Sequence, residues 1–264
     1  MADQSSRLPR YQRMHTERGR AESFGSVAEQ YDRFRPTYPA ALIEDLIALG
    51  AAQALDVGCG TGKAGRLLAA RGMSVLGVEI DPEMAEVARR HGLEVEVSSF
   101  EDWDPAGRRF DLVLAGQAWH WVDPAVAVPK AATVLRPGGT IAVFWNIGSI
   151  DEPFETQLDG VYRFRAPHLL HAHDERKETE PPYVHDLDSS KLFEPAFVRD
   201  YEWEQAYSTE HWVQMVQTHS DHVTLDAKVR AAVIADVADV IDANGGQILT
   251  RYRTHAVFAH VPSP

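Results

Sequence analysis

The apolar positions between Ala40 and Asn146 change period in a regular alternation. Ala40–Leu49 repeats apolar residues at helical spacing, and Gln53–Val57 is a short apolar run that stops at glycine. Lys63–Arg71 reads as a helix closed by Gly72. Ser74–Glu79, rich in Val and Leu, reads as a buried strand. Asp81-Pro82 starts a helix, with Asp as N-cap and Pro in the first turn, and that helix ends near His91-Gly92. Glu94–Ser98 alternates charged and apolar residues, the pattern of a strand with one wet face. Phe110–Ala115 is another buried strand. Asp123-Pro124 is a second helix start, and Pro129 is expected to kink or break that helix. Arg136-Pro-Gly-Gly139 reads as a turn before a fifth strand, Thr140–Asn146. Strands alternating with helices imply an α/β, doubly wound, mostly parallel sheet.

After Asn146 the period is poor. Residues 150–190 are rich in His, Asp, Glu and Pro, and 150–225 is expected to form a helical cap or substrate region over the sheet's carboxyl edge. Phe197–Tyr207 and Gln247–Val261 read as strands, and Thr209–Thr218 and Asp226–Ala243 as helices, the second closed by Asn244-Gly-Gly246. A hairpin-like ending gives seven strands with an antiparallel pairing near one edge. The first 22 residues carry five arginines and no apolar stretch, and are expected to be a flexible tail ahead of one domain over 23–264.

Composition narrows the function. Of 264 residues, 26 are Lys or Arg and 39 Asp or Glu, so the formal charge is 26 − 39 = −13. A chain this acidic is not expected to hold nucleic acid or an anionic membrane. One cysteine forms no internal disulfide, and no apolar run reaches membrane-spanning length; the expected location is cytoplasmic, as a monomer or homodimer.

The chemistry starts at Leu55-Asp-Val-Gly-Cys-Gly-Thr-Gly62, a glycine-rich turn between a strand and a helix. Such a turn brings backbone close to a ligand, and the helix start adds free N–H groups. A phosphate-binding loop needs G-x-x-x-x-G-K-[ST]; Val57 and Ala64 break that pattern. A dinucleotide site needs G-x-G-x-x-G; in the expected frame, from Gly58, Lys63 stands at the third glycine. Cys59 reads as small filler rather than a nucleophile.

The third ligand class rests on a resemblance. LDVGCGTG at 55–62, VLGVEID around Glu79, SSFED at 98–102, FDLVLA at 110–115 and LRPGGTIA at 135–142 resemble, in order, the motifs of the class I S-adenosylmethionine-dependent methyltransferases. The resemblance implies a seven-stranded, Rossmann-like methyltransferase fold and S-adenosylmethionine as cofactor, converted to S-adenosylhomocysteine. It implies cofactor contacts from Asp56, Gly58, Gly60, Gly62, Glu79, Ile80, Ser99, Phe100, Glu101, Ala115 and Gln117. Glu79, 21 residues past Gly58, is placed to accept hydrogen bonds from both ribose hydroxyls. Ser99 stands where the family usually has an acidic residue on the adenine amino group, so that contact shifts to the Phe100 backbone, Glu101 or Asp102.

Methyl transfer from a sulfonium is an in-line displacement, and a base is required only if the acceptor must lose a proton. The loop Gly116-Gln-Ala-Trp-His-Trp121 falls beside the expected methyl and resembles that of trans-aconitate methyltransferase-like enzymes. His120 is the expected catalytic base, with Trp119 and Trp121 as pocket walls. Upstream, Tyr31, Arg35 and Tyr38 are candidates for a lid over the cofactor and acceptor, and His219, in Thr218-His-Ser220, for a substrate contact. The tract His168, His171, His173, Asp174 and His185 lacks any metal-ligand spacing, and no metal is expected. The expected function is methyl transfer to a small-molecule hydroxyl. The alternatives are a carboxyl acceptor of the trans-aconitate type, a nicotinamide-dependent oxidoreductase, and a cofactor-binding protein without catalysis.

Overall fold

The structure, a computed structural model, describes residues 24–170 and 183–263. The expected tail over 1–22, and His171, His173 and Asp174, lie outside them. Seven strands form one sheet: β1 (Gln53–Val57), β2 (Ser74–Glu79), β3 (Glu94–Val97), β4 (Phe110–Gly116), β5 (Leu135–Ser149), β6 (Phe197–Ser208) and β7 (Gln247–His260). Their order is β3-β2-β1-β4-β5-β7-β6. The first five are parallel. Both antiparallel pairings belong to β7, which lies between β5 and β6 rather than at the edge.

The apolar runs of β1 and β4 are continuous because both faces of the sheet are covered. Leu55, Val57, Val113 and Ala115 pack toward one face, with α5 (Pro124–Val134), α7 (Tyr183–Ser190) and the loop through Phe100 and Trp103. Ala54, Leu112 and Leu114 pack toward the other, with α2 (Ala40–Ala48), α3 (Gly65–Ala69) and α4 (Pro82–Arg90). The order reverses between β1 and β4, which places a crevice beyond their carboxyl ends.

Local rules account for most boundaries. Asp81 Oδ1 accepts the Glu83 and Met84 N–H groups and caps α4; Asp123 Oδ1 accepts the Ala125 N–H and caps α5. Three features differ from expectation. The first helix after the glycine turn, Gly65–Ala69, is two residues shorter than Lys63–Arg71 at each end, and at its start this is because 61–64 are still in the turn. Helix α5 runs through Pro129: the ring costs one backbone bond, while Val128 and Ala131, both buried, keep that helix on the sheet. Strand β5 extends from Leu135 to Ser149, with Arg136–Gly139 looped out where β4 steps only from Phe110 to Leu112.

The cap also differs from 150–225. Helix α7 and Phe193 belong to the main core and β6 to the sheet. The helical layer at the carboxyl end is α6 (Glu152–Arg165), α8 (Thr209–Gln217), α9 (Ser220–Val223) and α10 (Ala227–Ala243), packed around Leu158, Met215, Val233, Val237 and Tyr252. Helix α1 (Ala28–Phe34) lies between this layer and α4. Among the described residues no helix is long and apolar enough to cross a membrane.

Candidate active site

Beyond β1 the chain turns through Gly58, Gly60 and Gly62, with φ of 62°, 56° and 82°. These left-handed values suit glycine. Space also requires it: a Cβ on Gly58 would meet the Ala118 Cβ at 2.6 Å, and one on Gly62 would meet Leu93 at 2.5 Å. The turn is pinned to β2. Gly58 N donates to the Val78 carbonyl at 2.8 Å, and Gly60 N donates to Glu79 Oε2 at 2.7 Å. Glu79 Oε1 accepts the Asp81 N–H at 3.0 Å, and Asp81 Oδ2 accepts the Gly25 N–H at 2.9 Å. Two carboxylates thus connect the glycine turn, the start of α4 and the segment leading into α1.

Asp56 is 1% exposed, and its Oδ2 accepts the Gly65 N–H at 3.0 Å. Burial pushes its pKa up to about 7, the Gly65 hydrogen bond opposes this, and the Glu79 charge adds to the rise. Burial also raises Glu79, against the Asp81 and Gly60 N–H groups that favour its ionised form. Ile80 is half-buried at the end of β2, and Ala115 is fully buried in β4.

The Ser99–Asp102 loop uses its side chains internally. Ser99 Oγ donates to Asp102 Oδ2 at 2.7 Å and accepts the Asp102 N–H at 3.1 Å. Glu101 Oε1 accepts the Asp123 N–H at 3.0 Å, tying the loop to the start of α5. These bonds hold the shape of the loop from which Ser99, Phe100 and Glu101 are expected to contact the cofactor. Phe100 is buried against Trp103 and Trp119, at ring distances of 6.2 and 6.3 Å.

After β4, Gln117 takes φ 58°; its N–H donates to the Phe144 carbonyl and its Nε2 to the Asn146 carbonyl, at 2.8 and 3.2 Å. Trp119–Trp121 forms a single 3₁₀ turn. Trp119 is 1% exposed in the core, so it is not the expected pocket wall; hydrophobic burial outweighs its one polar atom. Trp121 is half-buried, edge-on to Phe24 at 6.2 Å. His120 Nδ1 accepts the Trp145 indole N–H at 3.0 Å. An indole nitrogen only donates, so the neutral imidazole carries its proton on Nε2. The lone pair a base would use is engaged by Trp145. In this arrangement the ring of His120, the expected base, accepts through Nδ1.

Helix α1 is fastened on two sides. The Asp32 carboxylate meets Arg66 at 2.9 Å and His91 at 2.9 Å, and its backbone carbonyl accepts Lys63 Nζ at 2.7 Å. Toward the helical layer, Arg35 Nε donates to Thr218 Oγ1 at 2.8 Å and its terminal nitrogen to the Thr218 carbonyl at 3.1 Å. The Arg35 guanidinium also lies 5.2 Å from the Tyr31 ring centre. Tyr38 is buried edge-on to Phe144 at 4.8 Å; a Cβ on Gly116 would come within 2.5 Å of its hydroxyl. His219 is half-buried, with its ring 5.9 Å from that of His222.

Residues 55–143 match the methyltransferase domain family. That stretch of the chain is a methyltransferase domain by this match. Over 127 residues it is 44% identical to an uncharacterized methyltransferase of Mycobacterium tuberculosis (strain ATCC 25618 / H37Rv), an alignment covering 47% of this chain and 52% of that protein. It is 36% identical over 111 residues to a ubiquinone biosynthesis O-methyltransferase of Xylella fastidiosa (strain M23), covering 38% and 44% respectively. The chain spans about half the length of the curated relatives it matches. A chain assigned as a type II methyltransferase from Anaeromyxobacter dehalogenans shares the fold with a TM-score of 0.61 and 23% identity, over 88% of this chain and 100% of that one.

Within the methyltransferase domain, Asp56, Gly58, Gly60, Gly62, Glu79, Ile80, Ala115 and Gln117 surround the carboxyl ends of β1, β2 and β4, and Tyr31, Arg35 and Tyr38 lie on the α1 side. Sequence reading missed Trp145 and Asn146. Asn146 joins three segments: its Nδ2 donates to the Thr37 carbonyl, its Oδ1 accepts from Thr254, and its carbonyl accepts from Gln117. The available signal was the break from an apolar run to Asn at the end of a parallel strand, where ligand sites concentrate.

Proposed function

We propose that this protein transfers a methyl group from S-adenosylmethionine to an oxygen of a small molecule. The observation that carries the reading is the left-handed glycine turn hydrogen-bonded to buried Glu79. The residues present fit an adenosyl group: Glu79 Oε2 and Oε1 accept the Gly60 and Asp81 N–H groups, and the carboxylate has acceptor capacity beyond these for the ribose hydroxyls. Gly58, Asp56 and Gln117 would hold the methionine end; Ile80 and the backbone around Phe100 would flank the adenine. The cofactor supplies an electrophilic sulfonium methyl. The chain orients that methyl against its acceptor and excludes water with α1.

The engagement of His120 by Trp145 supports a second reading of the acceptor. A hydroxyl must lose a proton, whereas a carboxylate arrives without one. With its Nε2–H as donor, His120 suits a carboxylate oxygen and the trans-aconitate type of reaction.

Calorimetric titration with S-adenosylmethionine, S-adenosylhomocysteine, NAD⁺ and NADP⁺ tests the class. Binding of the first pair alone is expected, about a hundredfold weaker in Glu79→Ala, the loss of two charge-assisted hydrogen bonds, and abolished in Gly60→Arg. Binding of NAD⁺ in their place overturns the reading. His120→Gln, assayed against hydroxylated and carboxylated acceptors, then separates the two acceptor chemistries.

A further inference from the structure

We propose that His219, Asp221 and His222 form a binding site for a divalent transition-metal ion, with zinc the first candidate. The inference is independent of methyl transfer. It rests on the start of α9, where His219 is the N-cap residue. One ligand atom from each of the three side chains lies within 4.8 Å of the others. Two imidazoles and one carboxylate suit zinc, which accepts three protein ligands and leaves a fourth position to a non-protein oxygen.

The cluster is not a solvated surface group. The side chains of His222 and Asp221 are 6% and 11% exposed. Asp221 Oδ1 lies 2.8 Å from His222 Nδ1, and His222 Nε2 lies 3.0 Å from the Tyr162 hydroxyl. Tetrahedral bonds of about 2.0–2.2 Å separate ligand atoms by roughly 3.4 Å. Asp221 and His222 therefore need to part by about half an ångström to admit the ion. The ion takes the place of the hydrogen between Nδ1 and Oδ1. A neutral His222 keeps its one proton by moving it to Nε2, and the Tyr162 hydroxyl rotates to accept it. Tyr162 then orients the ligating ring, as partners of metal-bound histidines commonly do.

The position gives the ion a structural role. Helix α9 follows Thr218, which holds Arg35 of α1, while Tyr162 lies on α6. Zinc here fixes the start of α9, and the His222–Tyr162 hydrogen bond carries that hold to α6, beside the point where the helical layer meets α1.

The test titrates zinc chloride into the chelator-stripped full chain by calorimetry and follows the melting temperature. A control variant replaces His168, His171, His173 and His185 by Ala, because that tract can take up zinc adventitiously. One equivalent bound to the control, with a raised melting temperature, is expected. In the same background His219→Ala is expected to weaken zinc at least tenfold and remove the thermal shift, and Tyr162→Phe to weaken it about tenfold. Circular dichroism of the apo forms checks folding, and Asp221→Asn replaces His219→Ala if that variant does not fold. Absence of zinc binding to the control, or binding to the control that persists undiminished in His219→Ala and Asp221→Asn, overturns the site and leaves Asp221–His222–Tyr162 as a hydrogen-bonded chain only.

Discussion

Asp56 and Glu79 bury two carboxylates in one crevice, and the consequence is a stability that falls with pH. The folded-state pKa of Asp56, about 7, lies above that of an exposed aspartate. Between about pH 4 and 7 the native chain therefore holds a proton that the unfolded chain has released. Stability is greatest below the unfolded pKa, declines as pH rises through this window, and levels off above about 7. The difference is of order 4 kcal/mol at most. Asp56→Asn keeps an oxygen for the Gly65 N–H and removes the titration. Its denaturant midpoint is expected to decline less from pH 4 to 8 than that of the wild type, the remainder coming from Glu79, which burial also raises. Parallel curves for the two proteins would show that Asp56 is ionised throughout. At this scale sequence reading was strongest where one residue acts through its own backbone neighbourhood: the three glycines, and the caps at Asp81 and Asp123. It was weakest where a side chain's role depends on a distant partner. Nothing local distinguishes His120 as a base from His120 as the acceptor of an indole N–H 25 residues away in sequence.

The glycine turn and α1 act as elements. Gly58→Ala combines a left-handed φ with a Cβ 2.6 Å from that of Ala118, so it strains the backbone and overpacks the crevice. A destabilisation of about 2–5 kcal/mol is expected in chemical unfolding, the sum of the two effects. Gly72→Ala, also left-handed at φ 89° but with nothing within 4 Å of the new Cβ, is expected to cost only about 1 kcal/mol. Equal losses would mean that backbone strain alone matters. Asp32 fastens α1 to α3 and α4, where burial pulls Lys63 down to about 8 against the opposing Asp32 charge. Asp32→Ala is expected to speed amide exchange in α1 with little change in the sheet; unchanged exchange would assign the hold on α1 to its apolar contacts. Helix α1 was legible as a candidate lid because its aromatic and Arg residues lie upstream of the first strand. The latch was not legible, since Asp32, Lys63, Arg66 and His91 fall on α1, the glycine turn, α3 and the end of α4. Pro129 was misread for the opposite reason: the propensity rule is local, and burial of Val128 and Ala131 overrides it.

For the whole molecule, strand order decides where the two halves of the chain meet. Alternating periods made β1 to β5 legible, because each is a short element with its own turn signals. The place of β7 between β5 and β6 was not, since an apolar strand carries no record of its neighbours. That insertion extends the β5–β7 and β6–β7 ribbons beyond the parallel strands and builds the helical layer against α1. Across this junction Arg35 meets Thr218, 183 residues further along the chain. Thr218 is fully buried and its hydroxyl also donates to the Met215 carbonyl, so the guanidinium binds a fixed partner. Replacing Arg35 by Met should remove both hydrogen bonds, and Thr218→Val only the one to Oγ1. In a double-mutant cycle on unfolding free energy the pair is expected to couple by about 1 kcal/mol, since a single charge-assisted bond is lost in common. If the two halves are joined through this contact, the single Arg35→Met substitution should also raise amide exchange in α8 and α9 while leaving β1 and β4 protected. Additive effects with unchanged exchange would instead assign the junction to the apolar contacts of Phe34 with the helical layer.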